Sequence, residues 1–274
     1  MKNKEYFYYY FDEINDDFAN TGIDSRKTPD DFKYLPQNPV FRVMKPIVYH
    51  FILFIISLGE HTFAHIPMKN KKIIRRRNDK SHGCFIYSNH TSRVMDAVSA
   101  PLSAYPRQCY TVAHPDAISI KGMKTLVRLL GALPTPCSKN NYADFIESIN
   151  TLYERGCPIA IFPEAHIWPK YNKIRSFPSV SFYYPVKLNA PCFVKTTVYR
   201  KRKDGRSKPV IYFDGPFYPN PDLPHRQAVE ELRNRVYDQM VRRVEENQSY
   251  LDCRYHYIKV DSADQVRTEI RKAE

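Results

Sequence analysis

Two clusters of polar residues follow apolar runs that read as strands. Ser88-Asn89-His90-Thr91-Ser92-Arg93-Val94-Met95-Asp96 continues directly from the run 84–88, and Pro163-Glu164-Ala165-His166 follows the run 158–162. Ligands of open parallel sheets collect at the carboxyl ends of the strands, which puts His90 at the edge where chemistry is done. An Asp on the helix that follows can fold back and accept the imidazole Nδ1–H. That contact fixes the tautomer and leaves Nε2 as a general base. Taken alone, His90 is equally readable as a histidine that caps or packs at a helix N-terminus. Pro163 stops a sheet ladder and Glu164 stands where the strand ends; alone, this too is an ordinary strand-terminating turn.

The elements that must position these groups are legible from periodicity. Runs at 84–88, 108–113, 158–162, 192–199 and 210–213 read as strands bounded by Gly, Pro or polar residues. Helical patterns lie at 121–130, 142–155 and 226–247, the second with Asp144 and Glu147 near its start and Gly156 just past its end. Continuous apolar strands alternating with helices predict an α/β fold: a mixed, largely parallel sheet covered on both faces. The predicted organisation is an acidic, tyrosine-rich extension (1–36), a helical docking element with a basic run (37–77), the α/β core (78–220) and a C-terminal helix and tail (221–274).

Composition removes several alternatives. There are only 8 glycines in 274 residues, no two within three positions of each other, so neither GxGxxG nor GxxxxGK[ST] is present. Nucleotide dehydrogenases and P-loop enzymes are excluded, and the lack of GxSxG argues against a serine hydrolase of the usual form. Six scattered cysteines without a CxxC pair read as reduced thiols of an intracellular protein. Glu60-His61-Thr-Phe-Ala-His65 puts two histidines one helical turn apart, but without HExxH order or an obvious third ligand it does not predict a metal site.

The net charge is +13, and residues 1–36 hold eight acids against five bases, so the positive charge is concentrated in the rest of the chain. Such a field suits phosphate on a nucleic acid, an anionic membrane or a small substrate. The apolar stretch starting at Pro46 and ending at Gly59 amounts to about a dozen residues, against the roughly 20 needed to span a bilayer. With Lys69-Asn-Lys-Lys-Ile-Ile-Arg-Arg-Arg77 behind it, this stretch predicts a peripheral element lying in an anionic membrane surface.

Taken in order, the motifs resemble the glycerolipid acyltransferase family, typified by 1-acylglycerol-3-phosphate acyltransferase. The matching residues are Asn89-His90…Asp96, Lys121-Gly122…Gly131-Ala132-Leu133, Phe162-Pro163-Glu164 and Ala190-Pro191-Cys192-Phe193-Val194, covering about residues 40–215. The resemblance implies acyl transfer from an acyl-CoA or acyl-carrier-protein thioester to a lysophospholipid acceptor at the cytoplasmic face of a membrane. It implies His90 as base, Asp96 as its orienting partner and backbone N–H groups near the first motif as oxyanion donors, with no metal or organic cofactor and no nucleic acid.

The chain departs from the family pattern twice. Five residues separate His90 from Asp96 where the family has four, and Ala165-His166-Ile167 replaces Gly-Thr-Arg after Glu164. The acceptor's phosphate then needs another base: Arg175 is the first choice for its bidentate fork, followed by Lys173, Lys170, Arg93, Arg128 and Lys139. Glu164 is expected to help position the acceptor, and Lys195 and Arg200 to extend the positive surface. Two rivals are a basic nucleic-acid-binding protein and an inactive lipid-binding relative.

Overall fold

All five residues of Cys84–Ser88 are buried, as a central strand covered on both faces requires. Phe85 and Tyr87 enter a core shared with Phe145, Ile149 and Leu232, while Cys84 and Ile86 enter another with Ile74, Ala100 and Phe193. This period-two division decides which helices can reach the end of the strand.

The computed structural model describes residues 4–18, 28–59, 66–76, 81–119 and 122–261. In chain order the elements are β1 (Tyr6–Tyr10), α1 (Pro39–Gly59), β2 (Met68–Lys69), α2 (Lys72–Arg75), β3 (Cys84–Ser88), α3 (Arg93–Ala104), β4 (Tyr110–Ala113), α4 (Asp116–Ser119) and α5 (Lys124–Leu129). They continue with β5 (Ala132–Pro134), α6 (Lys139–Glu154), β6 (Pro158–Ile161), α7 (Tyr183–Leu188), β7 (Cys192–Lys201), β8 (Ser207–Phe217), α8 (His225–Glu246) and β9 (Tyr255–Lys259). The main sheet has the order β2-β8-β7-β3-β6-β4-β5, with β3 at its centre. Its pairings are parallel except β7 with β8, which are antiparallel. The chain therefore has the mixed, largely parallel α/β architecture that its periodicity predicts. His61 and His65 lie outside the described residues, as does Arg77 of the basic run.

Three parts differ from the sequence reading. α1 begins at Pro39, seven residues before the expected start, and passes through Pro46. Its 21 residues are by length and composition enough to cross a membrane, which the dozen or so counted from Pro46 are not. The predicted helix at 121–130 is short, Lys124–Leu129, and follows a separate turn of helix, Asp116–Ser119. The described parts of the N-terminal extension, residues 4–18 and 28–36, are built into the fold. β1 pairs in parallel with β9, Tyr6 opposite Tyr255, and Phe32 and Tyr34 are buried against the Phe145 cluster.

Candidate active site

The loop after β3 is clamped before it turns into α3. Asn89 is fully buried and continues the sheet by its side chain: Nδ2 donates to the Thr197 carbonyl at 3.0 Å and Oδ1 accepts the Thr197 N–H at 2.8 Å. The Tyr199 hydroxyl donates to Thr91 Oγ1 at 2.9 Å. Ser92, in extended conformation, caps α3 by accepting the Met95 N–H. The helix therefore starts at Arg93 and brings Asp96 back over the loop.

His90 Nδ1 lies 2.9 Å from Asp96 Oδ2, with the imidazole 17% and the carboxylate 1% exposed. The same oxygen accepts the N–H groups of Thr91 and Ser92, each at 2.9 Å. The extra residue between His90 and Asp96 is thus absorbed in the extended stretch before Arg93. Burial alone would raise the Asp96 pKa, but the Lys195 ammonium, the His90 contact and the Ser92 N–H outweigh it and hold the carboxyl below its usual value. An ionised Asp96 makes Nδ1 the protonated nitrogen and Nε2 the basic one. The ring stacks on Phe162, centroids 4.4 Å apart.

Glu164 approaches from the end of β6. Its Oε2 accepts the His90 N–H at 2.9 Å and its Oε1 the Arg175 N–H at 3.0 Å. Burial pushes its carboxyl pKa up, against the opposing pull of Arg175 and of the N–H groups of His90 and Arg175.

Arg175, expected to hold the acceptor's phosphate, is 1% exposed beneath this loop. Its guanidinium donates to Glu164 Oε2 at 3.3 Å, to the Glu13 carbonyl at 3.0 Å and to the His166 carbonyl, and it stacks on Trp168. Trp168 in turn lies flat on Tyr257 and donates Nε1–H to the Asp16 carbonyl at 2.8 Å. The N- and C-terminal strands thus brace the Glu164 loop from behind.

Ala165, at the position of the family's glycine, has φ +61°. A Cβ in that left-handed region costs about 1–2 kcal/mol, partly offset by the extra backbone freedom glycine would lose on folding. Ala165→Gly should raise stability by roughly 0.5–1 kcal/mol in urea unfolding; a destabilised variant would mean the methyl group packs favourably there.

The remaining bases scatter. Arg93, at the first position of α3, and Lys173 are exposed. Lys170 pairs with Asp252 at 2.7 Å. Arg128 lies over the Phe32 ring and donates to the Lys33 carbonyl, committed to the N-terminal segment. Lys139 opens α6 beyond β5, three strands from β3.

Lys195 does not extend a positive surface. It is fully buried, with Nζ 3.1 Å from Asp96 Oδ1 and 2.8 Å from Ser99 Oγ. A lone lysine buried in a continuous apolar strand must be paired, and its partner, Asp96, is 99 residues away in the chain. The expected oxyanion donors are also taken: the His90 N–H goes to Glu164, those of Thr91 and Ser92 to Asp96.

No curated protein sequence matches the chain. Among solved structures, it resembles the crystal structure of the 1-acyl-sn-glycerophosphate acyltransferase PlsC from Thermotoga maritima, with a TM-score of 0.52 at 18% identity over 80% of this chain and 87% of that one. That likeness concerns the fold. The family model "Acyltransferase" matches residues 65–219, more than half of the chain and every residue of the His90–Glu164–Arg175 arrangement. On that match, the chain belongs to the acyltransferase family.

Proposed function

We propose that the protein transfers a fatty acyl group from a thioester, acyl-CoA or acyl-carrier protein, to the free hydroxyl of a 1-acylglycerol-3-phosphate in phospholipid synthesis. The observation that carries this reading is the 2.9 Å contact of His90 Nδ1 with a buried, ionised Asp96. His90 Nε2 takes the acceptor's hydroxyl proton as that oxygen attacks the thioester carbonyl. The tetrahedral intermediate collapses, the carbon–sulfur bond breaks, and the imidazolium returns the proton to the departing thiolate. Asp96 holds the tautomer throughout.

With Arg175 committed to Glu164, the acceptor's phosphate falls to Arg93, exposed and three residues from His90. Lys173 is next in line. Arg93 also stands at the positive N-terminal end of α3, which favours negative charge at the same place. Glu164 keeps the His90 backbone in position from below. A donor-by-acceptor panel with product masses tests the assignment: diacylglycerol phosphate formed only when thioester and lysophosphatidate are both present supports it. Turnover with unphosphorylated acceptors alone would overturn the choice of acceptor, and no turnover with any pair would favour an inactive lipid-binding relative.

The membrane reading rests on α1. Its inner side is held to the body, Lys45 Nζ donating to the Tyr110 hydroxyl at 2.6 Å and the Tyr49 hydroxyl accepting the Cys109 N–H at 2.9 Å. Its outer side exposes Val43, Ile47, Phe51, Phe54 and Leu58 at helical spacing. A helix fixed along one side and apolar along the other suits lying in the interface, and the basic residues Lys69, Lys71, Lys72, Arg75 and Arg76 follow it. The free cysteines suit the cytoplasmic side. The protein should pellet with anionic vesicles, less so at high salt, and Phe51→Ser/Phe54→Ser should release it. Equal binding to neutral vesicles at every salt concentration would contradict the electrostatic part.

A further inference from the structure

β7 runs beside β3, with Lys195 opposite Ser88, so alternate side chains of β7 meet α3. At that position stands an ammonium with no exposure, bonded to Asp96 on the oxygen that His90 does not use. The three groups form a continuous line: ammonium, carboxylate, imidazole. A carboxylate beside an imidazole favours the imidazolium, and a fixed cation on the far side of that carboxylate opposes it. We infer that Lys195 is a positioning and charge-tuning residue of the His90–Asp96 pair: its ammonium, 3.1 Å from Asp96 on the oxygen that the imidazole does not use, orients that carboxylate and offsets part of its pull on a proton at the ring.

The other groups around the pair do not supply this cation. Glu164 meets the backbone N–H of His90 and is balanced by Arg175. Phe162 presents its ring to both His90 and the Lys195 ammonium. Tyr199, four residues along β7, gives its hydroxyl to Thr91. Ser99 accepts from Lys195 and carries no charge. Two further charges act near the imidazole, the Glu164 carboxylate, itself paired with Arg175, and the exposed Arg93 at the start of α3; a substitution at Lys195 leaves both in place.

This inference rests on the acyl-transfer reading of the site, but its test does not need turnover. Lys195→Gln keeps a hydrogen-bonding side chain and removes the charge. The pH at which the His90 ring signals titrate by NMR should then rise by about one unit. Where turnover is measurable, the acidic limb of the pH–rate profile should move up with it, a loss of about tenfold on that limb, recovering at higher pH. Lys195→Arg, which retains the charge, should leave both midpoints near those of the parent.

If Lys195→Gln does not fold, Asp96→Asn and Asp96→Asn/Lys195→Gln provide the same comparison. The single variant leaves the ammonium unopposed and should lower the His90 midpoint, and the double should bring it back up. An unchanged midpoint in Lys195→Gln, or in the double variant relative to Asp96→Asn, would overturn the inference and leave Lys195 a purely structural partner. A shifted midpoint without acyl transfer to any acceptor would uphold the inference while refuting the proposed reaction.

Discussion

His90→Ala should lower the acyl-transfer rate by about 10²–10⁴-fold and leave the fold intact. In the proposed reaction the acceptor is an alcohol, a poor nucleophile at neutral pH until a base takes its proton, and His90 Nε2 is the group assigned to that task. The rest of the site survives the substitution because Asp96 keeps Lys195 at 3.1 Å and the N–H groups of Thr91 and Ser92. Only a partly exposed ring stacked on Phe162 is lost, so the melting temperature should move by no more than a few degrees. A variant retaining a large share of activity would place the base elsewhere.

Arg175→Met should fail in a different way. It removes the only cation paired with Glu164 among the described residues, and leaves a buried carboxylate that also anchors the His90 N–H. Breaking one partner of a buried pair typically costs about 3–5 kcal/mol. Urea unfolding should show a loss of that order, and Arg175→Met/Glu164→Gln should recover part of it. Turnover should fall through kcat as the loop loosens. A rise in the acceptor's KM alone, at unchanged stability, would instead make Arg175 the phosphate ligand that its sequence position suggests.

The contrast between these residues shows what the sequence makes legible. β3 is readable because burial on both faces demands an unbroken apolar run, and Cys84-Phe85-Ile86-Tyr87 is one. His90 and Asp96 are readable because a polar cluster after such a run has few places to go. Lys195 and Arg175 are not readable from local pattern, since their partners, Asp96 and Glu164, are 99 and 11 residues away in the chain. A charge that looks solvated in one dimension is buried by pairing in three. Residues 6–10 carried no strand signal beyond their aromatic content, because β1 exists only through pairing with β9 at the other end of the chain. The start of α1 is hidden because Pro46 reads as a helix boundary, whereas it lies on the exposed side of a helix already under way.

The most direct test of the central claim is thiol release from a long-chain acyl thioester, followed with and without lysophosphatidate in the parent protein and in His90→Ala. The expected result is one thiol released per diacylglycerol phosphate formed, dependent on the acceptor and lost in the variant. Thiol release that is indifferent to the acceptor, or equal in His90→Ala, would contradict transfer through His90.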